Sequence, residues 1–173
     1  MHSVAYTVFL DDLRSLWRER FGIKIHRENL YEAAYFLTMQ HCMMELGGYL
    51  YSLNPYLRMS VIHDHSDYDG MMVNAFNYVK HALNPPYAKV LVTIAPMSSK
   101  ECLPLQLADF LAYEFFKDRS GEQQRGKSYN RRKSFALALQ TGTGVRLSTL
   151  PKDWIKKIMD AGLEVSGIVQ NPD

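Results

Sequence analysis

Short runs of β-branched and aromatic residues alternate along this chain with longer stretches in which apolar residues recur every three or four positions. Val4 to Leu10 is short and rich in β-formers, which predicts a strand. Asp11-Asp12 provides a helix start, and Leu13, Leu16 and Trp17 carry helical spacing up to Phe21-Gly22. Arg27 to Leu53 is a long helical stretch in which Leu30, Ala33, Ala34, Leu37 and His41 share one face. Gly47-Gly48 marks a candidate bend. Asn54-Pro55 ends the helix, because the residue before proline disfavours helical angles.

Leu57 to His65 predicts a second strand that runs into a polar turn. Asp69-Gly70 precedes a helix over roughly Met71 to Leu83, stopped by Asn84-Pro85-Pro86. Lys89 to Ala95 has few polar residues, the pattern of a strand covered on both faces. Pro104 suits the first turn of a helix, where its missing N–H costs nothing, and that helix is expected to reach about Lys117. A basic loop follows. A short helix is expected over Lys133 to Gln140, a turn at Thr141-Gly142-Thr143-Gly144, and a last amphipathic helix from Pro151 to Ala161 with Trp154, Ile155, Ile158 and Met159 inward. The order β-α-α-β-α-β-α followed by small helices is an α/β pattern.

Composition narrows the class without naming a function. The 173 residues, 47% hydrophobic and 12% aromatic, suffice for one folded domain. No apolar run approaches the roughly 20 residues that cross a bilayer. Met1 to Tyr6 lacks the basic region and apolar stretch of a secretory signal. Cys42 and Cys102 are far apart and lack metal-ligand spacing, so reduced, buried thiols are expected. Together these readings point to a cytoplasmic protein without a membrane partner. The net charge of +2 does not by itself indicate nucleic acid. Its distribution is uneven: Lys117, Arg119, Arg125, Lys127, Arg131, Arg132 and Lys133 stand against Asp118 and Glu122. Such an excess fits phosphate binding through Arg125, Lys127, Arg131, Arg132 and Lys133, and equally fits a solvated loop.

Two acids stand out by position. Asp64 lies near the end of the strand Val61-Ile62-His63-Asp64-His65, where α/β sheets commonly place ligand sites and where aspartate also starts turns. Asp109 lies inside a helix among Leu105, Leu107, Ala108, Phe110, Leu111 and Ala112. A carboxylate carried into a buried helix needs a partner or a cation. Gln106 and Tyr113 share its face and offer a polar network as the alternative. Paired carboxylates suit Mg²⁺ or Mn²⁺, and a two-metal site activates water for phosphodiester cleavage. That chemistry needs further acids. Glu114, about 140° round the helix from Asp109, is expected outside such a site, and Asp67 and Asp69 fit exposed turn acids as well as ligands. His63 and His65 share a strand face, but a third zinc ligand at recognisable spacing is missing. Ser98 and Cys102 belong to no nucleophile motif, and Ser98 with Glu101 suggests a capping arrangement.

The order Ile62-His63-Asp64, a helix, the strand Val90 to Ile94, Ser98 and then Leu105-Gln106-Leu107-Ala108-Asp109 resembles the domain of unknown function 3800 family. The similarity spans roughly Val4 to Lys117. It implies an RNase H-like mixed sheet flanked by helices, as a partial domain over residues 1–118, with 119–173 a basic loop and C-terminal helical extension. It also implies that Asp64 and Asp109 bind metal and act catalytically, and that the activity, if present, is that of a metal-dependent phosphodiesterase or nuclease. The family's N-terminal Asp-Glu-Ser-Gly strand has no counterpart here, and Val4 to Leu10 corresponds to the third strand. On that alignment the first two strands are missing and the edge of the strand ending in Asp64 is unpaired, unless an upstream segment or another chain, such as a second copy, fills the gap or the strands close up differently. The alternatives are a non-catalytic module that binds nucleic acid or protein, and an inactive truncated relative.

Overall fold

A computed structural model describes residues 2–22, 24–83, 85–126, 130, 133, 136 and 144–160. The chain is α/β. It runs β1 (His2–Thr7), α1 (Leu10–Phe21), α2 (Arg27–Leu53), β2 (Met59–Asp64), α3 (Asp69–Asn77), β3 (Leu91–Met97), α4 (Leu103–Arg125), β4 (Gly144–Thr149) and α5 (Lys152–Asp160). The strands form two separate parallel pairs, β1 with β4 and β2 with β3.

α1 carries Asp11 and Asp12 in its first turn, where the helix dipole favours negative charge. It ends at Gly22, whose left-handed φ of 69° lets its N–H reach the Arg18 carbonyl. α2 runs unbroken through Gly47 and Gly48. Gly47 admits the Tyr87 ring, which would lie 3.1 Å from a Cβ at that position. After α3 the chain widens into a π-helical turn over Tyr78–Leu83, then a 3₁₀ turn over Pro86–Val90 leads into β3.

α2 links two apolar clusters. Leu30, Ala33, Ala34 and Leu37 pack with Leu13, Leu16 and Trp17 of α1 and with Ile155 and Met159 of α5. Phe36 and Met43 pack with Ala75 and Phe76 of α3, Val79 and Leu91, with Val61 and Ile94 of the second sheet beside them. His41 is wedged between the rings of Tyr6 and Trp154, with centroids 4.3 and 4.2 Å away. Trp154, Ile155, Ile158 and Met159 of α5 face inward as their spacing predicts.

Several expectations are corrected. β3 is not covered on both faces: Val92, Thr93, Ala95 and Met97 are exposed, because only the other side of the β2–β3 pair meets α2 and α3. α4 continues eight residues past Lys117 to Arg125, so the first part of the basic stretch is helix and not loop. Gly144 opens a strand and does not close a turn. The helix expected over Lys133 to Gln140 and the residues Thr141 to Thr143 lie outside the described residues, apart from Lys133 and Ala136. Among the described residues, no helix is long and apolar enough to cross a membrane.

Candidate functional site at the ends of the second sheet

The C-terminal ends of β2 and β3 lie side by side, with Asp64 opposite Met97. Parallel pairing makes this the end at which both chains leave the sheet, so the turn into α3 and the loop into α4 meet there. Asp64 joins them. Its Oδ1 accepts the Ser99 backbone N–H at 2.8 Å and the His65 N–H at 3.1 Å, and its Oδ2 accepts the Ser99 hydroxyl at 3.1 Å. From the other side, the Gln106 amide of α4 donates to the Ser99 carbonyl at 2.9 Å. Ser99 therefore has its N–H, hydroxyl and carbonyl all engaged. The Ser99 N–H, the Ser99 hydroxyl and the His65 N–H hold the Asp64 carboxyl below the usual carboxylate range against the opposing effect of burial.

Beside this clasp, Asp69 at the start of α3 gathers the two histidines. His65 Nδ1 pairs with one of its oxygens, and His63 Nδ1 lies 3.4 Å from the other. Burial opposes the ionised form of Asp69, but the Ser66 N–H and the two imidazoles hold its carboxyl below the usual range. His63 is buried while His65 is open to solvent. The shared strand face expected for them is real, and its ligand is a carboxylate.

Asp109 is placed differently from its expected position. It is exposed on α4, as are Gln106, Leu107, Ala108 and Phe110 around it. The premise that desolvation demands a cation at Asp109 therefore fails. The Gln106 amide nitrogen of the expected polar network turns to the Ser99 loop. Lys117 Nζ lies over the Tyr113 ring, 5.5 Å from its centroid. Burial, the neighbouring Tyr68 and the Asp109 charge together push the Tyr35 phenol up, and Tyr35 stacks on Tyr68 with centroids 4.4 Å apart. Tyr68 immediately precedes Asp69.

The other expected residues are scattered. Asp67 is exposed in the turn, and Glu114, expected outside the site, is buried on α4 with Phe115 and Asp118. Ser98 forms a turn through its carbonyl to the Glu101 N–H at 3.0 Å; the residue preceding α4 is Cys102. Both cysteines are free, and burial pushes the Cys42 thiol up to about 11, far from a reactive thiolate. In the basic stretch, Arg119 pairs with Glu122 at 2.8 Å, Arg125 is exposed in the last turn of α4, and Lys133 is exposed. Lys127, Arg131 and Arg132 lie outside the described residues.

Sequence reasoning missed Ser99 and, although it weighed Asp69 as a turn acid or a ligand, did not join it to the two histidines. The spacing of Asp69 four positions after His65, at a helix start, was an available signal. Nothing local marks Ser99, whose partner comes from the neighbouring strand. Among the described residues, no group of three or more His, Cys, Asp or Glu side chains is placed to hold a metal ion. Asp64 gives three of its roughly four acceptor positions to Ser99 and His65, which leaves one position open on Oδ2. No family model, curated protein or solved structure matches the chain.

Proposed function

We propose that this chain acts as a non-catalytic module of RNase H-like type, working through its surfaces and not through a metal centre of its own. The observation that supports this is the state of Asp64. Its carboxylate closes the joint between two loops, which is structural work, and among the described residues it belongs to no group of three or more His, Cys, Asp or Glu side chains placed to hold a metal ion. A carboxylate in a two-metal hydrolase needs free lone pairs aimed at the ions. Here Oδ1 already accepts two N–H donors and Oδ2 a hydroxyl.

A second reading keeps the phosphodiesterase that the resemblance to the domain of unknown function 3800 family implies, with Mg²⁺ or Mn²⁺ on Asp64, Asp109 and acids supplied from outside the described residues. One feature supports it: Tyr35, whose phenol the Asp109 charge helps to push up, stacks on Tyr68 in the turn after Asp64. Titration of the full chain with Mn²⁺, followed by electron paramagnetic resonance, separates the two. The module reading expects no saturable site, and equal spectra for wild type, Asp64→Asn and Asp109→Asn. A stoichiometric site lost in both variants would overturn it in favour of the hydrolase. On the module reading, a nucleic-acid partner would engage Arg125 and Lys133 with steep salt dependence.

A further inference from the structure

The two edges of the β2–β3 pair are unlike. His65 N–H donates to the Met97 carbonyl at 3.2 Å, which fixes which residues turn their main chain inward. With the observed register, Val61, His63 and His65 face β3, while Thr93, Ala95 and Met97 face β2. The outward main chain of β3 is therefore that of Ile94 and Pro96. Pro96 has no N–H to offer, the register breaks at Val92, and Lys80 Nζ occupies the Val92 carbonyl at 2.8 Å. These are the devices that protect a strand edge from pairing.

β2 has little of this protection. Its outward residues are Ser60, Ile62 and Asp64. Among the described residues, the group placed on this outward main chain is the His63 ring, with Nδ1 3.1 Å from the Asp64 carbonyl. Among the described residues, nothing bonds to the main chain of Ser60 or Ile62. Both residues are exposed, Ile62 at 44%. Alternating N–H and C=O groups on an open edge are matched by one kind of occupant, an extended strand.

We infer that β2 pairs antiparallel with β2 of a second copy of this chain, about a two-fold axis at Val61. Two conditions select this register. Opposed residues must both turn their main chain outward, and unlike charges must meet at the ends. Centring on Val61 sets Ser60 against Ile62 of the partner subunit, which gives a hydrogen-bonded pair on each side of the axis. It also sets the exposed Arg58 against Asp64 of the partner subunit at both ends. Centring on Ile62 satisfies the first condition but sets Arg58 against Ser66 of the partner subunit. The guanidinium of Arg58 uses only Nη1 locally, on the Tyr56 and Leu57 carbonyls, so Nη2 remains for the carboxylate. The product is a continuous four-stranded sheet with β3 and its guarded edge on the outside of each half.

Analytical ultracentrifugation of the full chain over a range of concentrations tests it. A monomer–dimer equilibrium is expected. Ile62→Pro removes one outward N–H from each copy while leaving the β3-facing bonds, so it should yield a monomer with an unchanged far-ultraviolet circular dichroism spectrum. Arg58→Glu, which is exposed and outside the strand, should weaken the dimer by about tenfold or more through like charges at both ends. Val61→Cys should form an interchain disulfide on mild oxidation and Ile62→Cys should not, because only position 61 sits on the axis. A wild type that stays monomeric at all concentrations overturns the inference, including the case in which the edge takes a strand from a different protein. So does a dimer indifferent to Arg58→Glu and to the position of the cysteine, a comparison that holds even if the proline variant fails to fold.

Discussion

Ser99 has no polar atom left over, and Asp64 is responsible for two of its three attachments. Because those donors favour the ionised carboxylate, Asp64 binds its proton at lower pH in the folded chain than in the unfolded one. A depressed carboxyl contributes stability that is complete above its unfolded value, near about 3.9, and is lost as the pH falls through the folded value. Asp64→Asn should therefore lower Tm at pH 7, and the difference from wild type should shrink as the pH is taken below about 4. Thermal melts of both proteins from pH 7 to pH 3 measure this; curves that stay parallel throughout would mean the clasp does not depend on the charge. Asp64 was legible in sequence because it closes a strand. Its role was not, because Ser99 lies 35 positions further on and meets it only once β2 and β3 are paired.

α4 shows why an apolar helix can mislead at the level of an element. Leu105, Leu107, Phe110, Leu111, Tyr113, Phe115 and Phe116 go most of the way round its axis, so the pattern does not say which face is inside. The core takes Leu105, Phe115, Glu114 and Asp118, and leaves Leu107, Phe110 and Phe116 exposed. Adjacent phenylalanines thus differ sharply: Phe115 is 2% exposed and Phe116 58%. Phe115→Ala should cost about 3–5 kcal/mol, the range for emptying a buried aromatic site. Phe116→Ala should fall within about 0.5 kcal/mol of wild type. Urea denaturation reads both, and equal losses would mean that α4 is seated with its other face inward. α5 is the contrasting case. Lys152, Asp153, Lys156 and Lys157 mark its outer side, so its inward residues could be named from spacing alone. β4 went unread because Gly-Thr residues precede it and its support comes from β1, at the far end of the sequence.

Across the whole molecule, α2 is the element on which both apolar clusters depend. Its first half packs against α1 and α5, and Phe36 and Met43 pack against α3 and the second sheet. A two-stranded sheet is marginal by itself, so each pair of strands needs the helix it leans on. The first cluster also depends on contacts between the beginning and end of the described chain. β4 lies on β1, Lys156 of α5 pairs with Glu19 of α1 at 3.0 Å, and Ile155 is fully buried. Opening either cluster strips one side of α2 but leaves the other side packed, so its amides gain access to solvent only when both clusters open. Native-state hydrogen exchange should then find the amides from Leu30 to Met43 among the most protected, exchanging only through global unfolding. Amides near Arg125, at the exposed end of α4, should exchange through local fraying. Ile155→Ala should weaken the first cluster by about 2–5 kcal/mol. If global unfolding is cooperative, that loss should carry over to the slowest α2 amides in full, including those near Met43 that Ile155 does not touch. Slow amides near Met43 that keep their wild-type rates in this variant would instead mean that the two clusters unfold independently and that α2 does not join them.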